Sequence, residues 1–274
     1  MILLGLAGKA RSGKDTIADF LVDRYGFVKF SFSDALYWEV QQAFGLEDQS
    51  LLREPGTKDE TTPRMALAAC SDAGFVEVAR PLVAAANPDT FRPLEAFELS
   101  PRQILQWWGT DYRRAWDDYY WVKKAQEFLQ AVATAARYPE QRQQYFVNTS
   151  VRFENERNWI ADLGGNVWHV YRDGINAVSA HASEDDLPLV GVEREIYNND
   201  TIERLHAGVE LLLSTGARFV KVQPMQPDEP PPEGTLVVAD EPVVDGSPTG
   251  AEAFLMAAAE VGQIIADTTP TVEE

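Results

Sequence analysis

Ile2-Leu3-Leu4-Gly5-Leu6-Ala7-Gly8-Lys9-Ala10-Arg11-Ser12-Gly13-Lys14-Asp15-Thr16 is the stretch that decides the fold. An apolar run reaches a glycine, four residues follow, and then a second glycine precedes a lysine. That spacing marks a phosphate-binding loop. A buried strand delivers the chain to a tight turn. Gly8 and Gly13 accept backbone angles that other residues resist, so successive N–H groups turn inward toward phosphate oxygens. Lys14 adds a mobile positive charge for the outer phosphates, and Lys9, Arg11 and Ser12 complete the candidate cradle. A helix begins here, and its N-terminal dipole favours the same anion. Ile17, Phe20 and Leu21 recur at helical spacing, and Gly26 is the expected stop. The rival reading is a glycine turn that never meets phosphate. Strand, loop and helix in the required order favour the binding loop.

One position departs from the usual pattern. A Ser or Thr ordinarily follows the lysine as a magnesium ligand; here Asp15 does, with Thr16 next. Both offer oxygen to Mg²⁺, directly or through water. A degenerate, non-catalytic loop is the alternative that Asp15 raises.

The 274 residues suffice for one large domain, or for a domain with an appendage. No apolar run approaches the ~20 residues that span a bilayer. The N-terminus reads as a buried strand, without the basic leader and cleavage site of a signal peptide. Cys70 is the sole cysteine, so no internal disulfide forms, which fits a cytoplasmic location. Net charge is −19. Residues 223–274 hold 11 acidic side chains and no Lys or Arg, so −8 remains on residues 1–222. So acidic a chain is a poor general nucleic-acid binder, because phosphate contacts dominate that affinity. Arg102, Arg113 and Arg114 leave room for a local basic patch.

Farther along, Phe27 to Phe32 reads as a second strand. Ser33-Asp34 then caps a helix with Leu36, Val40 and Phe44 on one face and Gly45 at its end. Residues 46–99 are poorly periodic and read as an insertion, with a helix start near Thr62-Pro63-Arg64. Ser100-Pro101-Arg102-Gln103-Ile104-Leu105-Gln106-Trp107-Trp108-Gly109 has a cap, a first-turn proline and a terminal glycine. A helix from near Trp121 aligns Val122, Ala125, Leu129, Val132 and Ala136. Tyr145 opens a strand ending near Arg152, residues 155–163 form a short helix, and residues 167–171 form another strand. Asp200 to Glu203 starts a helix whose apolar face is Ile202, Leu205, Val209 and Leu212, and residues 218–222 are a last strand. Strands alternating with helices after such a loop predict an α/β fold: a parallel sheet of the P-loop nucleotide-hydrolase type, with helices on both faces. Five prolines in residues 224–234 predict a linker, with a strand at 236–238 and an apolar helix over 251–265 beyond it. The expected division is a body of residues 1–222, with an insertion at 46–120, and an accessory tail of residues 223–274.

The strings GKARSGKDT, FSFSDAL, SPRQILQWWGTDYRR, SVRFENE, HASE and IYNNDTIERL fall in one order. In that order they resemble the phage deoxynucleoside monophosphate kinases, over roughly residues 1–213. Dephospho-coenzyme A kinase shares the loop and broad fold but matches the later strings less well. The resemblance implies transfer of the γ-phosphoryl of ATP to a deoxynucleoside monophosphate, with Mg²⁺, in the host cytoplasm. A homodimer is a candidate assembly. It implies Lys14 and Arg152 as catalytic cations, the loop (Gly8, Lys9, Arg11, Ser12, Gly13, Lys14, Asp15, Thr16) as the ATP site, and Asp15 and Thr16 at the metal. The acceptor falls to Asp34, Arg102, Gln103, Trp108 and Arg113, and Arg114 lies beside them. Each residue also has a plainer role: Arg152 pairing with Glu156, Asp34 capping its helix, Trp107 or Trp108 packing in the core. His181 and Glu184 lie near the site by resemblance, but transfer to a phosphate oxygen needs no strong base, so His181 is not assigned catalysis. Two positions depart from the family: Ser150 replaces an aspartate, and Tyr37 replaces a lysine. They point to altered metal coordination or an altered acceptor. Two rival functions remain, a kinase of this fold acting on 5-hydroxymethyluracil in DNA and a non-catalytic nucleotide-binding module. The net charge weighs against the first, and retained Lys14 and Arg152 weigh against the second.

Overall fold

In the computed structural model, residues 2–54, 56–88, 92–135, 145–175 and 194–214 are described. The apolar opening forms β1 (Ile2–Ala7), and α1 (Lys14–Tyr25) follows the loop and ends at left-handed Gly26. β2 (Val28–Phe30) and α2 (Asp34–Ala43) come next, then a single turn, α3 (Ser50–Arg53). The expected helix near Thr62 is only a 3-10 turn, Pro63–Met65. α4 (Ala73–Ala86) lies where the sequence showed little periodicity, capped by Asp72, which accepts from Phe75 N at 2.8 Å. α5 (Pro101–Gln106) begins at a Ser100 cap. α6 (Tyr120–Ala135), β3 (Tyr145–Val151), α7 (Glu154–Asp162), β4 (Asn166–Tyr171), β5 (Arg194–Tyr197) and α8 (Ile202–Ser214) complete the order.

The sheet is parallel throughout, in the order β2-β3-β1-β4-β5. It is an α/β fold of the P-loop kinase type. One face buries Phe30, Phe75, Trp108, Phe128, Phe146 and Ile160 against the α2 and α4–α7 side. The other buries Leu4, Leu6, Ile17, Leu21, Trp168 and Val209 against α1 and α8. Each such large side chain contributes roughly 1.5–3 kcal/mol on burial. β1 is central: the chain leaves it toward β2 on one side, whereas its neighbour β3 leads back across it to β4 on the other. A crevice therefore opens at the carboxyl end of β1, where open α/β sheets bind ligands.

Three expectations change. Gly109 does not end its helix: the chain runs on from Trp107 to Arg114 in a wider, π-helical turn. A Cβ at Gly109 would lie 3.3 Å from Leu36, so the glycine permits close packing on α2. Ile202 is 58% exposed and leaves the apolar face of α8 to Leu205 and Val209. β5 was not anticipated, because its four residues are mostly exposed and lack an apolar pattern. The expected strands at 218–222 and 236–238, the linker, the 251–265 helix, Ala136, His181 and Glu184 lie outside the described residues.

Candidate active site

The loop between β1 and α1 closes on itself, with Ser12 N donating to Lys9 O at 3.2 Å. Gly8 has φ +126° and Gly13 φ +106°, and Arg11 is also left-handed at φ +66°. Side chains would collide there: a Cβ on Gly8 would lie 2.3 Å from the Val170 carbonyl oxygen, and one on Gly13 would lie 2.2 Å from Asn198 Nδ2. Lys14 Nζ donates to the carbonyls of Gly8 and Lys9, each at 2.7 Å, so its charge sits across the turn. Ser12 is buried, and its hydroxyl has no hydrogen-bond partner among the described residues. A glycine cradle, a lysine ammonium and an orphaned buried hydroxyl fit a polyphosphate.

Asp15 and Thr16 lie in the first turn of α1. Asp15 is exposed, and Lys29 Nζ of β2 stands 3.0 Å from its carboxylate. Burial alone would lower the Lys29 pKa, but hydrogen bonds to Asp19 and Asp15 outweigh it and hold the ammonium above its usual value. Asp15 and Thr16 are hard oxygen donors, which fit Mg²⁺ when phosphate and water supply most of its shell. Among the described residues, no group of three or more His, Cys, Asp or Glu forms a metal cluster.

Beside the loop, at Ala10, a cavity of about 210 Å³ opens. Leu36, Leu105 and Trp121 line an apolar part, and Lys58, Arg102, Arg114 and Arg152 bring positive charge. Its floor is the junction of β3 and α7. There Glu156 accepts from the backbone N–H groups of Arg152 and Phe153 at 2.8 and 3.2 Å, and from Arg114 Nη2 at 2.5 Å. Burial raises the Glu156 pKa, and the Arg114 guanidinium opposes that rise. Arg114 also lies 3.7 Å over the Phe153 ring. Glu156 thus holds the Arg152 backbone, forms an ion pair with Arg114, and feels the Arg152 charge as well. Ser150 joins a hydroxyl cluster, accepting from Phe32 N at 2.9 Å and contacting Ser31 Oγ at 2.7 Å. Tyr37 accepts from Lys58 Nζ at 2.7 Å, and Arg53 lies 4.2 Å over its ring.

Arg102 and Arg152 line this cavity, and Arg102 is also bound by both oxygens of Asp59. The remaining acceptor candidates, Asp34, Gln103, Trp108 and Arg113, do not line this cavity. Trp108 is 1% exposed, packs 4.6 Å from Phe75 and donates Nε1 to Glu39 at 2.8 Å, so it is a core residue and not a base platform. Arg113 also goes to Glu39, at 2.8 Å. Gln103 closes a reciprocal capping box with Ser100. Asp34 accepts from Ser31 N and pairs with Arg53 at 3.1 Å, without lining the cavity. Burial raises its pKa, opposed chiefly by the Arg53 charge. Sequence reasoning missed Lys58, which stands in an aperiodic segment, and Glu39, whose partners lie on other elements.

A profile of the deoxynucleotide monophosphate kinase family matches residues 83–209, which span α5, the π-helical turn, β3 and β4. The chain is related to the deoxynucleotide monophosphate kinases. That relationship marks it as a phosphotransferase. An Acanthamoeba polyphaga mimivirus protein, provisionally assigned as a deoxynucleotide monophosphate kinase, is 28% identical over 222 residues, covering 76% of this chain and 94% of its own. The deoxynucleotide monophosphate kinase of Enterobacteria phage T4 is 26% identical over 243 residues, covering 77% and 98%. That of Escherichia phage RB69 is 24% identical over 250 residues, covering 78% and 100%.

Proposed function

We propose that the protein transfers the γ-phosphoryl of ATP to a deoxynucleoside monophosphate, giving ADP and the deoxynucleoside diphosphate, in phage nucleotide metabolism. The observation that carries this reading is the juxtaposition of a phosphate loop with a cation-lined cavity of about 210 Å³ sharing Ala10. Phosphoryl transfer asks mainly for positioning and charge stabilisation. The loop N–H groups and Lys14 hold the donor phosphates. Arg152, with Arg102, draws the acceptor phosphate toward them, and the apolar wall takes the base. Lys14 and Arg152 then face charge that builds on the transferring group from two directions. Asp15 and Thr16 would hold Mg²⁺, which neutralises phosphate charge when bound. No side-chain base is required, because the acceptor oxygen is already anionic.

Residues 46–120 form the acceptor side of this proposal, and residues 223–274 stand outside the catalytic body. The test is a γ-labelled ATP assay with each deoxynucleoside monophosphate and, in parallel, with DNA containing 5-hydroxymethyluracil. Label should enter free nucleotide as diphosphate. Label entering only the polymer would replace this reading with the DNA-kinase one, and label in neither would favour a binding module.

A further inference from the structure

Asn198 follows β5, far in sequence from the phosphate loop, yet its side chain reaches that loop. Its Nδ2 donates to the Ser12 carbonyl oxygen at 2.8 Å, and its backbone N–H donates to Tyr171 O at the end of β4 at 2.7 Å. The next residue, Asn199, donates Nδ2 to Asp173 Oδ2 and accepts from Asp173 N, each at 2.8 Å. The ends of β4 and β5 therefore form a tied frame, and Asn198 extends from it to the loop.

The bonded carbonyl determines a direction. In a trans peptide the C=O of one residue and the N–H of the next point opposite ways. Holding the Ser12 oxygen outward on Asn198 therefore turns the Gly13 N–H away from Asn198, toward the interior of the loop. Gly13 at φ +106° needs such a hold, because glycine enters several other backbone regions freely. The fit is close: the space that a Cβ on Gly13 would occupy is taken by Asn198 Nδ2 at 2.2 Å.

We infer that Asn198 is a positioning residue for the triphosphate site: it locks the Ser12–Gly13 peptide so that an N–H faces the donor phosphates. The inference rests on the donor-site reading above. It concerns the donor alone, because Asn198 does not line the acceptor cavity.

The experiment compares the full-length wild type with Asn198→Ala and Asn198→Asp. The aspartate keeps the shape and the backbone bond to Tyr171 but sets an oxygen against the Ser12 oxygen. ATP and inorganic tripolyphosphate binding are measured at equilibrium, alongside KM for both substrates. Each variant should bind both probes about 10-fold or more weakly, as expected for one lost hydrogen bond that organises an anion site. The KM for ATP should rise, and the KM for the monophosphate should stay unchanged. Asn198→Asp should be the weaker binder at an unaltered melting temperature, a pattern that loss of fold would not give. If both variants bind ATP and tripolyphosphate like the wild type, or if both KM values rise together, the positioning role is wrong and the donor site stands. If the wild type itself binds neither probe, the donor-site reading fails and takes this inference with it.

Discussion

The two halves of the candidate site are built by different rules. The phosphate loop lies within consecutive residues: two left-handed glycines, a lysine and a helix start, all between Gly8 and Thr16. The cavity beside it draws on β3, α2, α5, the π-helical turn, α6 and α7. In the loop, backbone angle and spacing carry the function. In the cavity, function depends on which charges have already been paired. Glu39 absorbs Trp108, Arg113 and Tyr120; Asp59 holds Arg102; Glu156 holds Arg114. A short motif can therefore announce a donor site, whereas an acceptor site is decided by long-range partners.

The largest expected effect breaks the donor half. Lys14→Ala should leave a folded protein and reduce turnover by about 10²–10³, the usual loss for a charge aimed at the transition state. Purified, folded variant with near-normal turnover would detach catalysis from the loop. On the acceptor side the largest effect is on stability. Glu156→Ala leaves buried Arg114 with only the exposed Asp118 carboxylate, and two backbone N–H groups without their acceptor. A destabilisation of about 3–5 kcal/mol is expected in urea unfolding. A change below about 1 kcal/mol would show that the β3–α7 junction does not rest on this pair.

Arg102→Ala sharpens the division. Loss of one charge-assisted contact should raise the acceptor KM roughly tenfold and leave the ATP KM alone. A shift in the ATP KM instead would move Arg102 to the donor half. Asp34 supplies a pH signature. Its pKa is raised by burial, so the folded protein takes up the proton more readily than the unfolded chain. The stability it contributes is full below the ordinary carboxylate value and is lost as pH rises through the raised folded value. Asp34→Asn should therefore gain on the wild type as pH rises through that window, read by urea unfolding at several pH values. A constant difference would remove Asp34 from the account. The smallest effect is expected at the tail: a chain ending at Val222 should transfer phosphate within several-fold of the full rate. A folded but inactive truncation would place tail residues in the active site.

What was legible in the sequence follows the same division. The strand–loop–helix unit, the Ser100 cap, the buried face of α6 and the presence of a helix at α7 were readable, because their determinants lie within a few residues. α4 was not, since Pro81 interrupts an alanine-rich stretch of weak contrast. Gly109 misled because glycine serves close packing as well as helix ends. Trp108 and Arg113 misled because their partner, Glu39, is 69 and 74 residues away, and only the fold brings them together. Lys58 gave no signal: its value to the cavity comes from where the chain passes, not from its neighbours in sequence.

The central claim is that the loop and the cavity are one catalytic site. A bisubstrate compound, with adenosine and a deoxynucleoside joined through a polyphosphate, tests it most directly. It should compete with ATP and with the monophosphate alike, and both Lys14→Ala and Arg152→Ala should weaken its binding. Competition against ATP alone, with Arg152→Ala binding it as tightly as the wild type, would contradict the claim.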